Sequence, residues 1–201
     1  MKPLLYNSSL CYKPIKVHYQ NSNAVSLLAS SFYNFVVSND PKYQLAILCI
    51  GTDRSTGDSL GPIVGTLLTE KYHISNVFGS LDNPVHAVNL VDSVHRISSE
   101  LPHAGIFAID ACLGSHQSIG EITLAPGSLK PGAGVNKVLP NVGDLHLTGV
   151  VNVGGFMEYF VLQNTRLSLV YDMANVIAQS IAIVISTINS NNTLHAQFAS
   201  P

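Results

Sequence analysis

The sequence predicts an α/β fold, a three-layer sandwich in which a mostly parallel, twisted central sheet carries helices on both faces. Two apolar runs carry that prediction. Residues 44–50 contain Leu-Ala-Ile-Leu-Cys-Ile without interruption and stop at Gly51, and residues 105–113 are equally apolar apart from Asp110. Continuous runs of this length read as strands buried on both faces, the mark of a parallel sheet covered by helices. Segments with helical spacing lie between them, and that alternation favours parallel pairing.

The other elements follow in order. Residues 21–35 set Val25, Leu28, Phe32 and Phe35 on one face of a helix. After the first apolar run, Asp58 opens a helical pattern through Leu60, Val64, Leu67 and Leu68 that ends near His73. A short strand around Val77 and Phe78 precedes a helix expected to begin after Pro84 and to turn Val88, Val91, Val94 and Ile97 inward. Residues 119–124 and 145–153 read as weaker strands, separated by a Gly/Pro-rich connection over 125–143. Helices over 155–165 and 168–188 close the pattern. One domain is expected over 1–201, with an N-terminal arm at 1–20, a core over about 21–190 and a flexible tail at 191–201.

With 201 residues, 46% of them hydrophobic, the chain can bury a substantial core. Only 11% of residues are charged and the net charge is -2, which leaves no electrostatic basis for holding a nucleic-acid backbone. Cys11, Cys49 and Cys112 are widely spaced and form no CxxC pair, which fits a reducing compartment. The first residues lack the sustained apolar segment of a secretory signal. From Met173 onward there is no Asp, Glu, Lys or Arg, but Asn175, Gln179 and Ser180 interrupt the apolar stretch short of the roughly 18 to 20 residues a bilayer span needs. A buried helix, no membrane contact and a cytoplasmic location are therefore expected.

Ligands of open α/β sheets bind beyond the carboxyl ends of the strands. Asp110 falls at such an end, where a buried carboxylate is costly unless something pairs with it or protonates it. Asp58 opens the helix after the first strand, where an N-cap is the plain alternative role. If the first and third strands are neighbours, the two loops converge. Two close carboxylates cannot both ionise cheaply, so one keeps a proton while the other stays charged, an arrangement that activates water.

Other motifs compete. Gly51 and Gly57 enclose five residues and are followed by Asp58 rather than Lys, so the loop is not a phosphate cradle. Gly57-Asp-Ser-Leu-Gly61 matches the G-x-S-x-G nucleophile elbow and is similar to the signature of GDSL esterases, with Ser59 as nucleophile. Its triad partners, expected close to the C-terminus, would have to come from the pairs Asp92/His95 or Asp144/His146, both far upstream of that end. No cofactor is expected. Were a divalent metal bound, its ligands would be Asp58 and Asp110 with His116 or His146.

Thr56-Gly-Asp-Ser-Leu-Gly-Pro-Ile-Val64 resembles the first acidic motif of the germination protease superfamily, and Ala108-Ile-Asp-Ala-Cys112 its second. Pro126-Gly-Ser128 and Lys130-Pro-Gly-Ala-Gly-Val-Asn-Lys137 resemble the Gly-rich loop that follows. The chain is more similar still to YyaC-type sporulation proteins, shorter relatives without the long propeptide, and the likeness covers about residues 45–155. The resemblance implies the fold of the hydrogenase-maturation peptidases and a sporulation role in the cell or spore interior. It also implies a peptidase in which Asp58 and Asp110 are catalytic and small acid-soluble spore proteins are candidate substrates. Asp53, Gly57 and Ser59 in the first loop, with Gly132, Gly134 and Asn136 in the second, are the expected substrate-binding residues. A non-catalytic regulatory module that keeps the cleft is the alternative, and a homo-oligomer is compatible with either.

Overall fold

The structure is a computed structural model and describes residues 13–39, 44–132 and 139–198. Its elements are β1 (Ile15–His18), α1 (Ala24–Asn39), β2 (Leu45–Cys49), a 3-10 turn (Gly57–Ser59) running into α2 (Leu60–Thr66), a π turn (Leu67–Lys71), β3 (Val77–Phe78) and α3 (Leu90–Glu100). There follow β4 (Gly105–Gly114), β5 (Glu121–Pro126), β6 (Leu145–Val153), α4 (Glu158–Gln163) and α5 (Leu167–Phe198).

The six strands form one sheet in the order β1-β5-β6-β4-β2-β3. Its interior is parallel: β2 pairs with β3 and β4, and β4 with β6, while β5 and β1 are added antiparallel at one edge. The expected α/β sandwich is therefore the fold. From β2 the chain passes through α2 to β3 on one side, then through α3 to β4 on the other. The carboxyl ends of β2 and β4 are thus the point where the strand order reverses, the place where open sheets form their ligand crevice.

Alternation along β4 divides its side chains between two cores, as the period of a strand requires. Phe107, Ile109 and Ala111 face α1, α2 and α5, with Phe107 stacked on Phe32 of α1 at 4.7 Å between ring centroids. Ile106 and Ala108 face α3 and the segment holding Leu129, Leu139 and Val142. By the same alternation Asp110 points to this second side.

Several elements differ from the sequence reading. The expected N-terminal arm contains β1, an edge strand in register with β5 from Ile15↔Leu124 to His18↔Glu121. Helix α3 starts only at Leu90, so its buried stripe is Leu90, Val94 and Ile97, while Val88 is 75% exposed and Val91 47% exposed. Val91 sits about 100° round the helix from Leu90, and Val88 lies in the turn before the helix begins. Helix α4 is shorter than the expected 155–165 because Gly155 (φ 131°) and Met157 (φ 56°) hold the chain out of helical geometry before Glu158. Helix α5 runs on to Phe198, through most of what was expected to be tail.

The polar residues of α5 do not shorten it as expected: Leu167–Ser190, with mean hydropathy 1.6, is long and apolar enough to cross a membrane by length and composition. Its packing shows what the apolar residues do. Val170, Met173, Ala174, Ile177, Ala178, Ile181 and Val184 are buried at helical spacing in the core it shares with α1 and α2.

Candidate functional site

At its glycines, helix α2 comes within backbone contact of the strand ends. A Cβ on Gly61 would run into the Ile50 carbonyl oxygen, one on Gly65 into that of Gly79, and one on Gly51 into that of Asp58. Gly51 itself has φ 147°, which an L side chain rarely adopts. This close seating draws the Gly57–Ser59 turn over the end of the sheet. Beside it, Ile50 N–H donates to Ile109 O at 2.7 Å, the last link before β2 leaves β4. Asp110 is the next residue of β4, and it faces the gap that opens there.

The two acids meet. Asp58 and Asp110 line one cavity of about 20 Å³ with Ala111, Cys112, Leu113, Gly132 and Leu162. About 10–15 Å³ is needed for a single water, so the cavity is of one-water size. Asp110 is 9% exposed, and Ala111 N–H donates to its Oδ1 at 2.9 Å. Burial and then the charge of Asp58 push Asp110 up to about 8, against the opposing pull of the Gly132 and Ala111 N–H groups. Burial also raises Asp58, and the Ser55 hydroxyl works against that rise. Near neutrality Asp110 therefore holds the proton and Asp58 carries the charge. Asp58 does not act as an N-cap: neither the 3-10 turn nor α2 has a side-chain cap bond.

The other expected site residues are placed as follows. Gly57 is buried against α4, where a Cβ would meet Leu162 Cδ2 at 2.7 Å, so it packs against that helix. Ser59 is buried as well, and its Oγ donates to Thr56 O at 2.7 Å. That is no posture for a nucleophile. Asp53 is exposed on the outside of the same turn. Gly132 does border the acids, through its backbone N–H. Gly134 and Asn136 lie outside the described residues.

His146 precedes Thr148, the partner of Asp110 across the ladder, and its Nδ1 is bonded to Gly127 O at 2.8 Å. Asp144 accepts from Ile106 N–H through Oδ2 at 2.9 Å, a contact that anchors β4. His116 is exposed in the turn after β4. Among the described residues no group of three or more His, Cys, Asp or Glu stands close enough to hold a metal ion. Burial raises the Cys112 thiol to about 11, which keeps it protonated and unreactive. Larger cavities lie elsewhere. One of about 820 Å³ sits at the amino ends of β2 and β3 and contains no carboxylate, so its volume does not make it a hydrolytic centre.

The sequence reading missed Leu162, a wall of the cavity, and Ser55, a hydroxyl beside Asp58. Neither had a signal: one reads as helix core, the other as loop. The bonding of Ser59 leads to a direct expectation. Ser59→Ala should lower stability by about 0.5–1.5 kcal/mol in urea unfolding, and a fluorophosphonate probe should leave Ser59 of the native chain unlabelled. Labelling at Ser59 would restore the esterase reading.

Residues 16–180 match the family described as "Protein of unknown function (DUF1256)". The chain is also similar to "Uncharacterized protein YyaC" of Bacillus subtilis (strain 168), with 54% identity over 143 residues, covering 69% of this chain and 68% of that protein.

Proposed function

The chain belongs to the DUF1256 family. From the acid pair and the motif resemblance we propose that it is a peptidase-like hydrolase of sporulation, germination-protease-like, acting on a protein or peptide through Asp58 and Asp110. One observation carries the reading: two acids distant in sequence share a one-water cavity at the reversal of strand order, with their protonation driven apart.

The chemistry follows from that division. The charged Asp58 takes a proton from water as the water oxygen bonds to the scissile carbonyl carbon. Asp110 gives its proton to the carbonyl oxygen. When the tetrahedral intermediate collapses, the C–N bond breaks, the leaving nitrogen takes the proton from Asp58, and Asp110 recovers one from a hydroxyl of the carbon. The atoms balance without a metal. Phe156, Tyr159 and Phe160 stand exposed around α4, the helix that supplies Leu162 to the cavity wall, and would meet the side chains of a bound peptide.

The narrowness of the cavity favours a second reading, a non-catalytic binding or regulatory module, since the space admits water more readily than an amide. Incubation with small acid-soluble spore proteins separates the two. The hydrolase yields fragments, with a rate that falls above about pH 8 as Asp110 loses its proton, and Asp58→Asn or Asp110→Asn lowers that rate by 100-fold or more, the order expected for a lost acid or base. A stable complex without fragments supports the module. Folded Asn variants that cleave at the native rate end the aspartate-pair reading.

A further inference from the structure

The turn leading to Asp58 is closed on itself. Thr52 N–H donates to Asp58 O at 3.1 Å, and both Ser59 N and Ser59 Oγ donate to Thr56 O. Ser55 lies inside this ring, 5% exposed, and its Oγ is buried without an aligned hydrogen-bond partner. Such an orphan is costly to bury, while its neighbours Asp53 and Arg54 lie exposed. The acceptor beside it is the Asp58 carboxylate, whose charged form the hydroxyl favours. The hydroxyl thus acts on Asp58 without a formed hydrogen bond. Ser55 does not line the cavity between the acids, so it reaches Asp58 from outside that space.

The pair needs something of this kind. Asp110 receives two backbone N–H groups, from Ala111 and Gly132, which by themselves would draw the charge to it. From β4 the titratable groups near the pair are Asp110 and Cys112. Glu158 of α4 is turned to Gly155 N at 3.3 Å, α2 carries no titratable side chain, and Arg166 and Asp172 at the start of α5 are exposed. Arg54 in the ring itself is exposed too. Among the described residues the Ser55 hydroxyl is the side-chain donor that bears on Asp58.

We propose that Ser55 is a positioning residue of the acid pair: its buried hydroxyl donates to the Asp58 carboxylate in the working arrangement and fixes Asp58 as the charged member and Asp110 as the proton holder. This rests on the pair proposed above, and its test reads titration, so that it stands or falls separately from peptide cleavage. Carboxyl ¹³C NMR of the intact chain follows the midpoints of the coupled pair in the native protein, Ser55→Ala and Ser55→Thr. Ser55→Ala should raise the Asp58 midpoint by about one pH unit, the worth of one charge-assisted hydrogen bond, and Ser55→Thr should restore it. An alanine variant with an unmoved Asp58 midpoint overturns the proposal and leaves Ser55 a mere packing orphan. Should Ser55→Ala fail to fold, Ser55→Cys, a weak donor of similar size, should give an intermediate rise, and an unmoved midpoint there overturns it equally. A shifted midpoint without any cleavage of spore proteins would refute the hydrolase reading alone.

Discussion

Asp110→Asn should make the protein more stable at neutral pH while removing the proton its site is built to hold. In the folded chain Asp110 titrates at about 8, far above an unfolded aspartate near 3.9. Between those values the folded state binds more protons than the unfolded state, so the stability of the native protein falls as pH rises from about 4 to about 8 and then levels off. This is the reverse of a salt-bridged carboxylate, and burial, the first cause of the raised value, makes it so. At about 1.4 kcal/mol per unit, the four-unit gap sets a ceiling of about 5 kcal/mol. Asparagine forgoes that cost but brings an extra N–H to satisfy, so a gain of about 1–3 kcal/mol is expected. For a chain of this length that corresponds to Tm higher by about 3–10 °C at pH 8, with little difference near pH 4. Thermal unfolding across pH 4–9 reads both signs. A native protein whose stability climbs over that range, or an asparagine variant less stable at pH 8, would refute the buried, protonated Asp110.

A stabilising loss of function is what a site held against folding preferences should show. Asp110 occupies a position that the alternation of β4 assigns to the same core as Ile106 and Ala108. An apolar residue there would cost nothing. The carboxyl is retained where β2 parts from β4, the point in the topology at which a ligand can approach the sheet ends.

How much of this could be read from residues depended on the kind of signal each feature leaves. β2 and β4 were legible because strands buried on both faces have nowhere to place a polar side chain, and the single exception in β4, Asp110, was legible for the same reason. The α/β pattern allowed β2 and β4 to be neighbours without requiring it, and the register Leu45↔Gly105 shows that they are. The inner face of α3 was misread because Val88, Val91, Val94 and Ile97 mimic helical spacing, while the helix begins at Leu90 and buries that residue. Gly57 looked like a ligand contact because motifs are read along the chain, whereas its burial is decided by α4 across space. Gly132 was named from its Gly-rich motif, but that its backbone N–H meets Asp110 left no signal, since a backbone donor has no residue type. Ser55 was equally silent: a serine between Arg54 and Thr56 reads as solvated loop until its hydroxyl is seen buried.

Gly61→Ala should destabilise the protein severely, although the same change inside an exposed helix is favourable by up to about 1 kcal/mol. Gly61 is the second residue of α2, and its missing side chain leaves room for the backbone of β2: an alanine Cβ would overlap the carbonyl oxygen, carbon and nitrogen of Ile50. These are backbone atoms of a buried strand end, tied to Ile109 O and Val85, and cannot rotate aside as a side chain could. Relief must come from lifting α2, which loosens Leu60, Ile63, Val64 and Leu68 from the core at once. A cost of about 3 kcal/mol or more is expected, at the upper end for overpacking because no rotamer relieves it. Urea unfolding measures it, and a midpoint equal to or above that of the native chain would show that the helix does not ride on the strand as described. Because α2 continues directly from the turn bearing Asp58, any surviving fold should also separate the acids. The Asp110 midpoint should then fall by the part that the Asp58 charge contributes, while burial in β4 keeps it raised, tying the close seating of this helix to the shared proton.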